Sequence, residues 1–106
     1  MENTFDEVIL AGCSRAILEG SQNIKRNNRI KTDLQKKKYL VELWNRNLDL
    51  AIQATNDERN IAVLRGYYGA VTSKILNLLS IQDCYIYIHK WAMLLCIGWK
   101  GGWEHE

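Results

Sequence analysis

Apolar residues recur at helical spacing through most of the 106-residue chain. In the third quarter they are separated by alternating gaps of three and four positions, at Ile61, Leu64, Tyr68, Val71, Ile75 and Leu78. A second series with the same gaps runs through Tyr85, Ile88, Ala92, Leu95 and Trp99. Such gaps place side chains along one face of an α-helix. The pattern therefore predicts amphipathic helices that bury one face each.

Four Ser or Thr residues precede the apolar stretches, and each is followed three positions later by a residue that can complete a capping box. In this motif the cap hydroxyl accepts from the later backbone N–H, and the later side chain bonds back to the N–H of the cap. The four pairs are Thr4 with Glu7, Thr32 with Gln35, Thr55 with Glu58, and Ser80 with Asp83. Gly20 suits a left-handed helix end. These signals predict helices near 5–20, 33–54, 56–79 and 81–98.

Short predicted connections favour an all-α fold, a four-helix bundle with antiparallel helices, in a single domain over residues 1–106. Proline is absent, so the commonest helix stop is missing. The second and third helices could therefore form a hairpin at Thr55 or one long rod, which would expose apolar surface and force oligomerisation. The segment 84–88 is rich in strand-forming residues, but no hairpin turn accompanies it, and we predict helix there.

Composition indicates a soluble globular protein, with 47% hydrophobic and 25% charged residues. The apolar run Trp91–Trp99 is much shorter than the roughly 20 residues that a membrane span needs, so we expect none. A peripheral membrane helix at 81–99 ranks last, because its polar face lacks Lys and Arg. Three cysteines without a pairing pattern, and acidic residues where a secretory signal would be basic, favour the cytoplasm.

The net charge of +2 is unevenly distributed along the chain. Residues 24–46 contain eight basic side chains and two acidic ones. The candidate binding residues for a partner or for nucleic acid are Lys25, Arg26, Arg29, Lys31, Lys36 and Lys37. The segment 25–38 could meet an acidic protein, could attract phosphates through counterion release, or could be a solvated face in which Lys38, Glu42 and Arg46 pair at helical spacing. No aromatic residue lies among the basic residues of the loop, which argues against stacking of single strands.

Two glycines inside the predicted third helix suggest contact with another subunit. Each costs about 1 kcal/mol relative to alanine, so a compensating gain such as close backbone approach, or a kink, is expected. Gly66 points away from the apolar stripe. The four tryptophans suit either a core or an interface. We predict a homo-oligomer, and the candidate interface residues are Gly66, Gly69, Trp91 and Trp99.

The sequence contains no recognisable motif for catalysis, metal binding or cofactor binding. His89 and Cys96 share a helix face but would lie roughly 10 Å apart along its axis, too far for direct activation of the thiol. We therefore predict no catalytic residues, no metal and no cofactor. The predicted function is a non-catalytic interaction module, such as an adaptor, regulator or inhibitor, that binds a protein partner. The alternative is an RNA- or DNA-binding helical protein that uses the segment 25–38.

Overall fold

A computed structural model describes residues 5–94 of the chain. They form four α-helices: α1 (Glu7–Arg26), α2 (Asp33–Gln53), α3 (Glu58–Asn77) and α4 (Ile81–Met93). This confirms the all-α fold class. Within the described range there is no β-strand, only an isolated antiparallel bridge between Phe5 and Thr55. The segment 84–88 lies inside α4, as predicted, whereas the predicted extension of this helix to 98 lies outside the described residues.

Two of the predicted caps are confirmed by their hydrogen bonds. Thr32 begins α2 with a complete capping box: its hydroxyl accepts from the Gln35 backbone N–H at 3.1 Å, and the Gln35 amide oxygen accepts from the Thr32 N–H at 3.3 Å. Ser80 begins α4, and its hydroxyl accepts from the Asp83 N–H at 3.2 Å. Both helices therefore start where the sequence pattern places them.

The predicted cap at Thr55 is wrong, because Asp57 caps α3 instead. The Asp57 carboxylate accepts from the Arg59 backbone N–H at 2.9 Å, and a charged acceptor makes the stronger bond. Thr55 accepts from the Asp57 N–H at 3.2 Å and so shapes the turn that precedes the helix. Helices α2 and α3 are separate and form a hairpin, which excludes the continuous rod.

Helix α1 differs from the prediction at both ends. It begins at Glu7, where the Asp6 carboxylate accepts from two backbone N–H groups, while Thr4 lies outside the described residues. It also continues through Gly20 to Arg26, so the predicted helix end at Gly20 is wrong. A Cβ atom on Gly20 would lie 2.7 Å from the Cδ1 atom of Leu43. The glycine therefore allows α1 and α2 to approach closely.

The core lies where α1 packs against α2 and α4 and where α2 packs against α3. At its centre the indole of Trp44 stacks on the ring of Tyr68, with centroids 4.3 Å apart, and donates to the Tyr68 carbonyl at 3.2 Å. The apolar series of α3 is buried from Leu64 to Ile75. Leu78, the last member of that series, is 74% exposed because α3 ends one residue before it.

Buried polar groups connect the helices across this core. The Asn47 amide nitrogen donates to the Cys13 carbonyl at 3.1 Å, and the Tyr68 hydroxyl donates to the Asn47 amide oxygen at 3.3 Å. Ser14 on α1 donates to the Ala92 carbonyl on α4 at 2.6 Å. An unpaired buried polar group would be costly, so these bonds help to determine which helix faces meet.

Candidate functional site

The candidate site lies at the end of the bundle where α1 ends and α2 begins. We define residues 25–38 as the basic end. A short connection joins the two helices, and Ile30 anchors it in the core with 8% exposure. The Ile30 N–H donates to the Asn27 carbonyl at 3.2 Å, and the Arg29 N–H donates to the Asn27 side chain at 2.8 Å. This bonding fixes the connection and directs its basic side chains outward.

All six candidate basic residues lie at this end, but they do not form one stripe. Lys25, Arg26, Arg29 and Lys31 are exposed, whereas Lys36 and Lys37 are half-buried in the first turns of α2. None of these six forms an ion pair with any residue between 5 and 94. Their positive charge is therefore available to a partner.

Two of these lysines turn toward the start of α4. The ammonium of Lys25 lies 5.4 Å from the centre of the Tyr85 ring, within the range of a cation–π interaction. Burial raises the pKa of the Cys84 thiol, and the nearby ammonium of Lys37 opposes part of that increase. The basic end thus lies against the first turns of α4.

One of the two ion pairs expected for a self-neutralised face of α2 is present. Arg46 and Glu42 form the predicted pair, with 3.8 Å between their charged atoms, and both side chains are largely exposed. Over the range that the structure describes, Lys38 forms no ion pair with Glu42. The pairing therefore neutralises one charge on α2 outside the basic end, whose seven basic residues are accompanied in sequence by the one acidic residue Asp33.

A groove of about 370 Å³ runs between the last turns of α1 and the first turns of α2. Its lining residues are Asn23, Ile24, Asn27, Arg29, Ile30, Gln35 and Tyr39. Tyr39 is the functional candidate that the sequence analysis missed. It lies outside the loop in sequence, yet the helical turn from Gln35 brings its 48% exposed side chain beside Arg29 in the groove. The loop itself contains no aromatic residue, as the sequence shows, but the groove beside it does.

Hydrogen bonds in the helix cap orient the amide groups of the groove. The Asn27 amide oxygen accepts from the Arg29 N–H, and the Gln35 amide oxygen accepts from the backbone N–H groups of Lys31 and Thr32. Because these oxygens are engaged, the amide nitrogens remain as donors. The lining includes no carboxylate. The groove consequently suits a ligand with acceptor atoms and negative charge.

The candidate interface residues on α3 lie on an open face. Gly66 and Gly69 are exposed inside a continuous helix, and a Cβ atom on either would meet nothing within 4 Å. They therefore serve no close packing within the monomer. Assembly of several subunits stays a prediction.

Trp91 has an intramolecular role. It is half-buried on α4, and its ring centre lies 5.1 Å from that of Tyr67 and 6.3 Å from that of Trp44. It thus packs between α4 and the hairpin that α2 and α3 form. Trp99 lies outside the described residues.

The two described cysteines are poor nucleophiles. Cys13 and Cys84 are both buried, and burial raises the pKa of Cys13 to about 11. Among residues 5–94, no group of three or more His, Cys, Asp or Glu side chains could hold a metal ion. In the same range no helix is long and apolar enough to cross a membrane.

Comparison of the chain with protein-family models, with curated proteins and with solved structures finds no match. The geometry of the basic end and of its groove therefore carries the functional argument.

Proposed function

We propose that this chain is a non-catalytic interaction module that binds a negatively charged macromolecule through its basic end. The supporting observation is the separation of charge along the bundle. At the opposite end, residues 5–10 and 49–60 carry the acidic residues Asp6, Glu7, Asp49, Asp57 and Glu58, and Arg59 is the basic residue in these two ranges. A bundle with oppositely charged ends orients itself toward an anionic surface as it approaches.

The basic end is also preorganised for binding. Its helices and connection are fixed by a complete capping box and by the buried Ile30, so less freedom is lost when a partner binds. Such a module could act as an adaptor, regulator or inhibitor, because each of these roles needs only a specific contact.

Two partner classes fit this proposal, an acidic protein surface and nucleic acid. Leu34, at the start of α2, is 61% exposed beside the basic residues. An exposed apolar side chain next to a cluster of basic residues is a combination that protein interfaces use. Counterion release alone would draw the same residues to phosphates.

Self-association is a further part of the proposal. The outer face of α3 exposes the small uncharged residues Ala62, Gly66, Ala70 and Ser73, and such residues let a second helix approach closely. A homo-oligomer would present several basic ends to one partner, which raises avidity without new contacts.

The test is a salt series of anisotropy measurements with labelled polyglutamate, single-stranded DNA and duplex DNA. The double variant Lys36→Glu with Lys37→Glu should lose binding to any probe that the wild type binds. The control, Arg15→Glu with Lys90→Glu, makes the same charge change on exposed residues away from the basic end and from the outer face of α3. Equal losses in both variants, or no binding of any probe at low salt, would contradict the proposal.

A further inference from the structure

Tyr39 differs from the other described tyrosines because no aromatic ring or cation packs against its ring. Tyr68 stacks on Trp44, Tyr67 packs on Trp91, and cations lie over the rings of Tyr85 and Tyr87. In the described part of the chain, no ring or ammonium group stacks on Tyr39. A half-exposed aromatic ring beside cationic groups provides a stacking surface for a planar ring.

The polar groups around Tyr39 select the charge of the ligand. Arg29 contributes a guanidinium, and the oriented amides of Asn27 and Gln35 contribute N–H donors. Guanidinium groups pair well with phosphate, to which they can donate two parallel hydrogen bonds. A free ring face, N–H donors and a cation together match a nucleotide. The base can stack on the Tyr39 ring, and the phosphate can accept hydrogen bonds from the amide groups and from Arg29.

The surroundings of the groove favour a polymer over a free nucleotide. Its volume of about 370 Å³ lies at the small end of ligand clefts, which span about 300–1,000 Å³. Arg26, Lys31 and Lys36 lie in the same short segment outside the lining and can neutralise neighbouring phosphates. A duplex conceals the faces of its bases inside the stack, whereas a single strand exposes them.

We infer that this groove binds one nucleotide of a single-stranded nucleic acid, with the base stacked on Tyr39 and the backbone held by the basic end. The inference rests on the proposed function and names the partner class. It also assigns different roles to the residues: Tyr39 contributes affinity that is independent of salt, and the basic residues contribute affinity that falls with salt.

The test compares three substitutions by anisotropy with labelled single-stranded oligo(U) and oligo(dT). Tyr39→Leu should weaken binding by about five-fold to about 100-fold, the range that the loss of one stacked base predicts, with an unchanged salt slope. Tyr39→Phe keeps the ring and should bind as the wild type does. Leu50→Ala is the control, because it removes exposed apolar surface from the far end of the same helix without removing a ring.

A second readout locates the contact independently of affinity. Irradiation of the complex with a strand that contains 5-iodouridine should crosslink the base to the peptide that includes Tyr39, and mass spectrometry identifies that peptide. Circular dichroism of each variant confirms that the fold is retained. Crosslinks that fall only on α3 or α4 would overturn the inference.

The remaining outcomes separate this inference from the proposed function. It is overturned if Tyr39→Leu binds as the wild type does, if the duplex binds as tightly as the single strand, or if uridine monophosphate competes as well as the strand does. It is also overturned if polyglutamate binds and no nucleic acid does, in which case the proposed function stands with an acidic protein partner. If no probe binds, both proposals fail.

Discussion

Replacing Gly66 by alanine should stabilise the folded monomer, although this residue lies in the middle of a helix. Gly66 is exposed on α3, and a Cβ atom there would meet no other atom within 4 Å. The substitution therefore adds no steric cost. Glycine in a helix interior is less stable than alanine by about 0.5–1 kcal/mol, and we expect a gain of that size. Each kcal/mol corresponds to a rise in melting temperature of roughly 4–8 °C for a domain near this size.

The assay is urea unfolding of dilute protein, followed by far-ultraviolet circular dichroism and tryptophan fluorescence. Gly20→Ala is the matched control, because Gly20 also lies inside a helix but its Cβ would come within 2.7 Å of a Leu43 methyl group. There the gain in helix propensity is opposed by displacement of that side chain, so the free energy of unfolding should rise less or fall. A decrease in the free energy of unfolding for Gly66→Ala would refute the reasoning that the space beside Gly66 is open.

Gly66→Ala also tests self-association, on which we expect it to have the opposite effect. If a second subunit packs on the outer face of α3, the added methyl group of Gly66→Ala should weaken assembly while it stabilises the monomer. Sedimentation equilibrium measures the association constant, and because apparent stability depends on concentration in an oligomer, both measurements must span the same range. A variant that leaves association unchanged would remove Gly66 from the predicted interface.

Three further predictions concern the polar core, a buried thiol and a helix cap. Asn47→Ala should cost about 1–3 kcal/mol in urea unfolding, because it removes the acceptor of the buried Tyr68 hydroxyl and the bond that the amide donates to the Cys13 carbonyl; a loss that is too small to resolve would mean that water replaces the amide. Burial raises the pKa of Cys13 from 9.0 to about 11, so the unfolded chain loses the thiol proton first, and stability should fall as the pH rises from 9.0 toward 11. Cys13→Ala should show a shallower decrease over this range, and identical slopes would contradict the assignment. Thr32→Ala should cost about 1 kcal/mol in the same unfolding assay, since it removes the hydroxyl half of the capping box; a neutral result would show that the remaining Gln35 contact suffices.

The helices were predictable because the information that determines them is local. The alternating gaps of three and four give the buried face of α3 from Leu64 to Ile75, and the complete capping box at Thr32 gives the start of α2. The wrong predictions concern positions where contacts between residues distant in sequence determine the local structure. Thr55 pairs with Phe5 rather than capping a helix, and the reason for Gly20 is Leu43 on the next helix.

The candidate site was predictable in its charge but not in its shape. The basic residues follow directly from composition along the chain. The groove exists only after the connection folds α2 back along α1, which brings Tyr39 to the side of Arg29. A local signal was nevertheless present for one side of the groove: Gln35 and Tyr39 are four residues apart in α2 and so share a helix face.

At the basic end, the residues that stabilise the fold differ from those that we expect to bind the ligand. Ile30 and Thr32 hold the connection in place, so substitutions there should weaken the fold and the groove together. Arg29 and Tyr39 project from that support and contribute little to the core, so their substitution should weaken binding in a protein that still folds. Arg29→Ala therefore provides a second binding variant. A loss of affinity without a change in the free energy of unfolding is the behaviour that distinguishes a ligand-binding groove from a structural crevice.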